Sequence, residues 1–319
     1  MGKYILKRIM IFIPMALLMS FLIFGGIELA PGDFVSSLVP PDLQAEMTEA
    51  QWDALRASYG LDQPFILRYF KWLVQVLQGN WGYSLASGVP VKDIILQKLP
   101  VTLELMITGL LISAVLGSIF GVISALKRGT IVDQALTVTG IIGLSIPQFL
   151  FAMLAILIFA LEWKILPVGG RTTIDMVHWW EHLPYLILPA TVQGLTQTAS
   201  VMRYSRSSML QSMNKDYVKT ARSKGLPEWR VNLLHGFRVS MTPVVVLLAL
   251  RVPYMISSAV VLENVFQWPG IGVVFKEAVT ASNYPLIMMI ALIIVLLVMV
   301  ISLILDILTR ILDPRVKLN

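Results

Sequence analysis

Cysteine is absent from this chain of 319 residues. That excludes disulfides, thiolate zinc clusters, cysteine-ligated iron–sulfur centres and a thiol nucleophile. Histidine is scarce, with only His178, His182 and His235 available, too little for a histidine-rich metal centre. Charge is the third shortage. Asp, Glu, Lys and Arg make up 14% of the chain, where a soluble domain carries about 25%. A phosphate-binding GxxxxGK[ST] loop is also missing. The sole Gly-Lys pair, Gly2-Lys3, is followed by tyrosine, and Gly25-Gly26 and Gly169-Gly170 lack a strand–turn–helix context. In place of all these stands apolar mass: 56% of residues are hydrophobic and the mean hydropathy is +0.76. An ordinary soluble enzyme is excluded, and the class is a polytopic membrane protein.

A helix needs about 20 mostly apolar residues to cross a bilayer, because its backbone polar groups find no partners in hydrocarbon. Charge-free runs extend over Ile9–Ile27, Leu105–Leu126, Gln134–Leu161 and Tyr284–Leu305. Val239–Leu262 is interrupted once, by Arg251, and Leu183–Met202 is the weakest, with Gln193, Gln197, threonines and prolines. Six spans are expected. The basic head Lys3, Lys7 and Arg8 imitates a signal peptide, but no small-residue cleavage site follows and the first run reads as a retained anchor. Sixteen Lys and Arg residues fall on the side of the N-terminus, the Lys127-Arg128 turn, the 203–238 loop and the tail, against eight on the other. Both termini are therefore expected in the cytoplasm. The net charge of +6 reads as membrane-adjacent loops and lipid contact, with no nucleic acid among the expected partners.

Two loops are too elaborate to be simple connections. On the outer side, Leu43–Tyr59 is rich in helix formers, with Glu46, Glu49, Asp53 and Arg56 on a polar face and Met47, Ala54 and Leu55 expected opposite. Gly60 reads as its stop, and Gln63-Pro64-Phe65 opens a second amphipathic stretch. The rings of Tyr69, Phe70, Trp72, Trp81 and Tyr83 suit the headgroup level. These helices either cap a bundle or form a lid or docking surface. On the cytoplasmic side, the 203–238 loop holds eight basic and two acidic residues. Asn214 or Asp216 is expected to cap a helix that Gly225 ends, and Pro227 with Glu228 opens another. Small residues Thr220, Ala221 and Gly225 would let a partner approach. Anionic lipid accounts for the charge, whereas the helix–glycine–helix punctuation points to a protein.

The string Tyr217-Val218-Lys219-Thr220-Ala221-Arg222-Ser223-Lys224-Gly225-Leu226 resembles the EAA loop of bacterial binding-protein-dependent ABC import permeases, in its dipeptide/oligopeptide/nickel form. Val201–Met209 is similar to the lead-in of that motif. Leu29-Ala30-Pro31-Gly32-Asp33, Gly60-Leu61-Asp62-Gln63-Pro64, Glu263–Gly272 and Asp313-Pro314-Arg315 extend the resemblance over almost the whole chain, and the long first outer loop resembles the B-type permease. Two departures stand out: Lys219 replaces the acidic lead of Glu-Ala-Ala, and Ser282-Asn283 replaces a charged pair before Tyr284-Pro285.

The resemblance implies an all-α protein of six transmembrane helices with the type I ABC importer permease (MetI-like) fold, in the bacterial inner membrane. It implies a peripheral first helix (1–30), an extracytoplasmic loop (31–100), a five-helix core (101–309) carrying the coupling loop, and a cytoplasmic tail (310–319). The implied function is a permease subunit of an ATP-driven importer of dipeptides or oligopeptides, with nickel chelates or oligosaccharides as alternatives. The implied partners are a homologous C-type permease, two ATP-binding subunits and an extracytoplasmic substrate-binding protein. ATP and Mg2+ would sit on the partners, so this chain is expected to bind no cofactor or metal and to hold no catalytic residue. Tyr217, Lys219, Thr220, Ala221, Arg222, Lys224, Gly225, Leu226 and Pro227 are the candidate contacts to the ATPase.

Arg251 and Glu263 are candidate pathway or subunit-interface residues, since an arginine near mid-span costs about 2.5–3.5 kcal/mol unless it faces a cavity or a partner. Glu104 is expected at the outer entrance of the second span and Asp306 at the inner end of the sixth, without forming a proton relay. Gly117 and Gly121 form a GxxxG pair suited to close helix contact. An ion-driven secondary transporter is the main alternative from another class, but it lacks matched interrupted spans and an embedded acid pair. A membrane scaffold protein is a third reading.

Overall fold

The computed structural model describes residues 2–29, 39, 41–58, 60–172 and 178–312. Among them the secondary structure is helical, with no strand beyond a single bridge between Tyr83 and Pro90. Ala30–Asp33 of the first resembling motif, Tyr59, Asp313-Pro314-Arg315 and the Asp306 side chain lie outside the described residues.

The chain forms two units: Met1–Pro100 with Val273–Met299, and Val101–Gly272 with Val300–Asn319. The first begins with α1 (Gly2–Glu28). The outer-loop helix expected over 43–59 is two helices, α2 (Pro41–Gln44) and α3 (Glu49–Ser58). The break has a cause in Thr48: its N–H and its hydroxyl both donate to the Gln51 Oε1, at 2.8 and 3.1 Å, a side-chain cap that starts a new helix there. No residue of α3 is fully buried; Trp52 and Leu55, three apart on one face, are half-buried and its other positions are exposed. Gly60 does stop α3, at φ +69°.

Helix α4 (Phe65–Leu77) packs on α1 through rings. Phe21 meets Phe65 and Tyr69 edge-on at 5.4 and 5.2 Å, and Phe24 meets Trp72 at 5.5 Å. Tyr69 is buried and exchanges a 2.8 Å hydrogen bond with the Ser20 hydroxyl. Asn283 answers the departure from the charged pair. It is 1% exposed, its amide donates to the Ser84 Oγ at 2.7 Å and its carbonyl accepts the Leu85 N–H at 3.2 Å.

Helix α5 (Val91–Leu126) starts well before the expected span and carries the Glu104 position into its interior. The expected third span, Gln134–Leu161, is not one rod. It is α6 (Ile131–Ser145) followed by α7 (Gln148–Ala155) and a π-helical turn to Glu162, bent by 103°. Pro147 is the reason: the residue before proline is pushed out of the helical region, and Ile146 is extended at φ −84°, ψ 123°.

Helix α8 (Leu183–Met213) is the expected fourth segment. It is long but too polar to be recognised by apolarity, and protein covers much of it. After α9 (Asp216–Ser223) and α10 (Glu228–Arg230), a π-helical turn leads into α11 (Arg238–Val265). Helices α12 (Ile271–Thr280) and α13 (Tyr284–Leu312) complete the chain. Four helical stretches among the described residues are long and apolar enough to cross a membrane, or five when the bent pair counts as one.

The second unit is closed by missing side chains. A Cβ on Gly117 would lie 2.5 Å from the Val201 Cβ, and one on Gly121 would lie 2.6 Å from the Met202 carbonyl oxygen. From the other side, a Cβ on Gly194 would meet Ile112 at 2.5 Å. The GxxxG pair thus brings α5 against α8 at backbone distance. A layer of Leu105, Leu186, Leu262, Phe266 and Trp268 is buried beside it.

Candidate functional site

The segment 214–238 is a folded knuckle between the ends of α8 and α11. Its first helix, α9, is amphipathic over only two turns. Val218 and Ala221 turn inward on Val231, with Met213 and Leu226 around them. Gly225 ends α9 at φ +73°. The Gly225 N–H bonds the Arg222 carbonyl at 2.9 Å and the Leu226 N–H reaches back to that of Ala221 at 3.4 Å. This paired closure, with an apolar residue following the glycine, is the Schellman arrangement. Side chains clasp it from outside: the Arg222 guanidinium donates to both carboxyl oxygens of Glu228, at 2.9 and 3.2 Å.

Three expectations shift by a residue or a face. Lys215 is the N-cap of α9, while Asn214 ends α8 and Asp216 is the first helical residue. The Asp216 carboxyl accepts from Lys219 at 3.0 Å, and this bond holds it below the usual carboxylate range. Pro227 precedes α10 as its N-cap instead of entering its first turn. Ala221 is not open to a partner, being 5% exposed and part of the knuckle's own core. Lys219, Thr220, Arg222, Lys224 and Pro227 face outward. A Cβ at Gly225 would meet nothing within 4 Å, so its surface is free.

The knuckle is tied to the two helices that it joins. The Ser212 hydroxyl donates to the Gly236 carbonyl at 3.1 Å and shares a 2.7 Å bond with the Tyr217 hydroxyl. One turn further, the Ser208 hydroxyl donates to the Ser240 carbonyl at 2.8 Å. These bonds tie the knuckle to the end of α8 and the start of α11.

Two polar nodes inside the second unit had no distinct sequence signal. Asp133 accepts both arms of the Arg206 guanidinium at 2.8 Å, the Gly129 N–H at 3.0 Å and a short hydrogen bond from the Ser124 hydroxyl. This joins α5, the turn after it, α6 and α8. Gln193 is fully buried. Its amide donates to the Met255 carbonyl and the Ser258 hydroxyl, both at 3.2 Å, and its carbonyl accepts from Gln148 at 2.6 Å. That node holds the start of α7, just beyond the bend, to α8 and α11. A cavity of about 290 Å³ opens beside the bend, lined by Thr139, Gly140, Gly143, Ile146 and Thr196 among others.

The two candidate membrane residues part company. Arg251 is half-buried and donates to the Ser200 hydroxyl at 3.1 Å, with no carboxyl group bridging it among the described residues. Glu263 lies away from any open surface of this chain, at 0% exposure. Its carboxyl accepts the Thr102 hydroxyl at 2.6 Å and the Gly272 N–H at 2.7 Å, while the Thr102 oxygen accepts the Ile271 N–H at 2.7 Å. The Trp268 indole donates to the Val101 carbonyl at 2.9 Å. A Cβ on Gly270 would fall 2.1 Å from the Glu263 Oε1. The Glu263–Gly272 motif is thus a lock on the beginning of the second unit's α5 segment. Glu104 also has internal partners, Arg171 at 2.9 Å and His182 at 2.5 Å. Among the described residues, no group of three acidic or histidine side chains is placed to hold a metal ion.

A sequence model of the family described as "binding-protein-dependent transport system inner membrane component" matches residues 117–318. The chain is similar to the oligopeptide transport system permease protein AppB of Bacillus subtilis (strain 168), 36% identical over 319 residues, with 99% of this chain and 100% of the relative covered. It is similar to the dipeptide transport system permease protein DppB of Escherichia coli (strain K12), 30% identical over 339 residues, with 99% of each covered. Among solved structures it resembles the inward-facing MetNI methionine ABC transporter, with a TM-score of 0.53, 15% identity, and 70% of this chain and 98% of that one covered. The last likeness concerns the fold alone.

Proposed function

The chain belongs to the binding-protein-dependent transport system inner membrane component family, and from that premise we propose that it is a permease subunit of an ATP-driven peptide importer, coupled to separate ATPase subunits through the 216–230 knuckle. The observation that carries the coupling is the knuckle's construction. Its inner face is spent on its own packing, its outer face presents Lys219, Thr220, Arg222 and Lys224 around an unobstructed Gly225, and its two ends run into α8 and α11.

A rigid knuckle of this kind acts as a lever. Closure of an ATPase pair moves the cleft that grips α9, and the serine bonds at Gly236 and Ser240 carry the displacement into both helices as one body. Because α8 packs on α5 without intervening side chains at Gly117 and Gly121, small tilts are transmitted and not absorbed by rotamer changes. This chain supplies one side of the pathway, and a homologous C-type permease supplies the other. ATP and Mg2+ belong to the ATPases, and first selection of the substrate belongs to an extracytoplasmic binding protein. Peptides are the proposed substrate class because the relatives similar over their full length are named for oligopeptide and dipeptide transport.

The test is ATP-dependent uptake in proteoliposomes containing this chain with its partner subunits, the binding protein being loaded in turn with short peptides and with a nickel chelate. Peptide uptake supports the reading. Uptake of the chelate alone keeps the coupling and overturns the substrate, and ATP-independent flux by this chain alone overturns the permease assignment.

A further inference from the structure

Helix α4 has three faces, each with a different chemistry. Phe65, Tyr69 and Trp72 pack on the α1 rings. Ile66, Phe70, Val74 and Leu77 form a second stripe at helical spacing and stay 50–76% exposed. Arg68, Lys71 and Gln75 form the third and line a cavity of about 550 Å³. A helix so divided has one face for protein, one for hydrocarbon and one for a polar layer, the pattern of a helix lying in a membrane interface.

The walls of the cavity have the chemistry that suits headgroup depth. The end of α1 contributes Phe24 and Glu28, the beginning of α13 contributes Tyr284, and Trp72 and Trp81 supply amphipathic rings. Its charges do not cancel. Arg68 is neutralised by Glu28, with both guanidinium arms on the carboxyl group, one at 2.9 Å and the other shorter. Lys71 has no carboxyl partner among the described residues. Its ammonium donates to the Gln63 side-chain oxygen at 2.6 Å, which holds it in place without neutralising it.

We propose that this cavity is a binding site for the phosphate group of an anionic membrane phospholipid. Lys71 supplies the charge, Trp72 and Trp81 the interfacial walls, and the Phe70–Val74–Leu77 stripe a bed for the acyl chains. The three faces of α4 then each have an occupant. The site bears on how the outer loop is held in the membrane, and it does not depend on which substrate the transporter carries.

The test uses the assembled transporter in phosphatidylcholine nanodiscs containing trace spin-labelled phosphatidylglycerol or spin-labelled phosphatidylcholine. The readout is the protein-immobilised fraction of each. Wild type should prefer phosphatidylglycerol. Lys71→Ala should lower the preference by about fivefold, the weight of one basic residue at an anionic surface, and Lys71→Arg should keep it. Gln75→Glu places a negative charge on the same face with Lys71 intact and should lower the preference likewise, so the test survives if Lys71→Ala fails to assemble. Equal preference in wild type and either lowering variant overturns the site. Loss of the preference on adding inorganic phosphate overturns the lipid as its source and assigns the site to a free anion.

Discussion

Replacing Glu263 should damage the fold of the permease before it alters any transport property. Glu263→Ala leaves the Thr102 hydroxyl and the Gly272 N–H, now bonded at 2.6 and 2.7 Å, without their acceptor in a fully buried place. Each orphaned polar group costs about 1–3 kcal/mol, so the two together cost about 2–6 kcal/mol. With an unfolding entropy of about 2.1 cal/mol/K per residue, the thermal midpoint of a chain of this length should fall by about 3–9 °C. Glu263→Gln should be milder, because one oxygen remains to accept while its NH₂ faces a group that already donates. The assay is thermal unfolding of the purified chain by intrinsic tryptophan fluorescence, run beside Thr102→Val and the double variant. Both residues serve one lock, so their costs should be less than additive. An unchanged midpoint in Glu263→Ala, accompanied by altered uptake, would refute the lock and return this residue to the pathway.

Other perturbations separate packing from assembly. Gly121→Leu should lower stability by about 1–3 kcal/mol because even its Cβ would press on the Met202 carbonyl, while Gly26→Leu, with nothing within 4 Å, should be silent; thermal melting compares them. Asp133→Asn should cost about 2 kcal/mol in the same assay, since it spoils the two-armed Arg206 contact, the cost being moderated because Arg206 is partly exposed. Arg251→Ala removes a single bond to Ser200, so its own melting should change by about 1 kcal/mol or less. Its co-purification with the second permease subunit should drop if a partner's acid faces it, whereas intact assembly with weakened peptide uptake would assign Arg251 to the pathway.

The apolar runs made most membrane helices legible, because a charge-free stretch of that length has few other structures open to it. The knuckle was legible for a similar reason: Gly225 and Pro227 punctuate a short segment whose periodicity is clear on each side. Other features depended on contacts that no local pattern records. Glu263 meets Thr102 across 161 positions, and a lone glutamate beside an apolar span reads equally well as a pathway residue. Asp133 and Arg206 are 73 positions apart, each unremarkable near a helix end. The bend after α6 had a signal in Pro147, outweighed by an unbroken apolar run on both sides. Helix α8 looked weak as a span because Gln193 serves α7 and α11, while Thr196 and Thr198 turn their hydroxyls back onto carbonyls of α8 itself. The break before α3 was written in Thr48-Glu49-Ala50-Gln51, a capping pattern within a stretch of good helix formers.

Coupling through the Gly225 knuckle is read most directly from the ratio of peptide taken up to ATP hydrolysed in proteoliposomes. Gly225→Ala adds only the left-handed backbone cost of about 1–2 kcal/mol, since its Cβ has free space, and should lower the ratio modestly. Gly225→Trp fills the surface that is open in this chain and should abolish uptake while the protein still inserts and hydrolysis persists. Wild-type uptake per ATP in Gly225→Trp at equal expression would contradict the account.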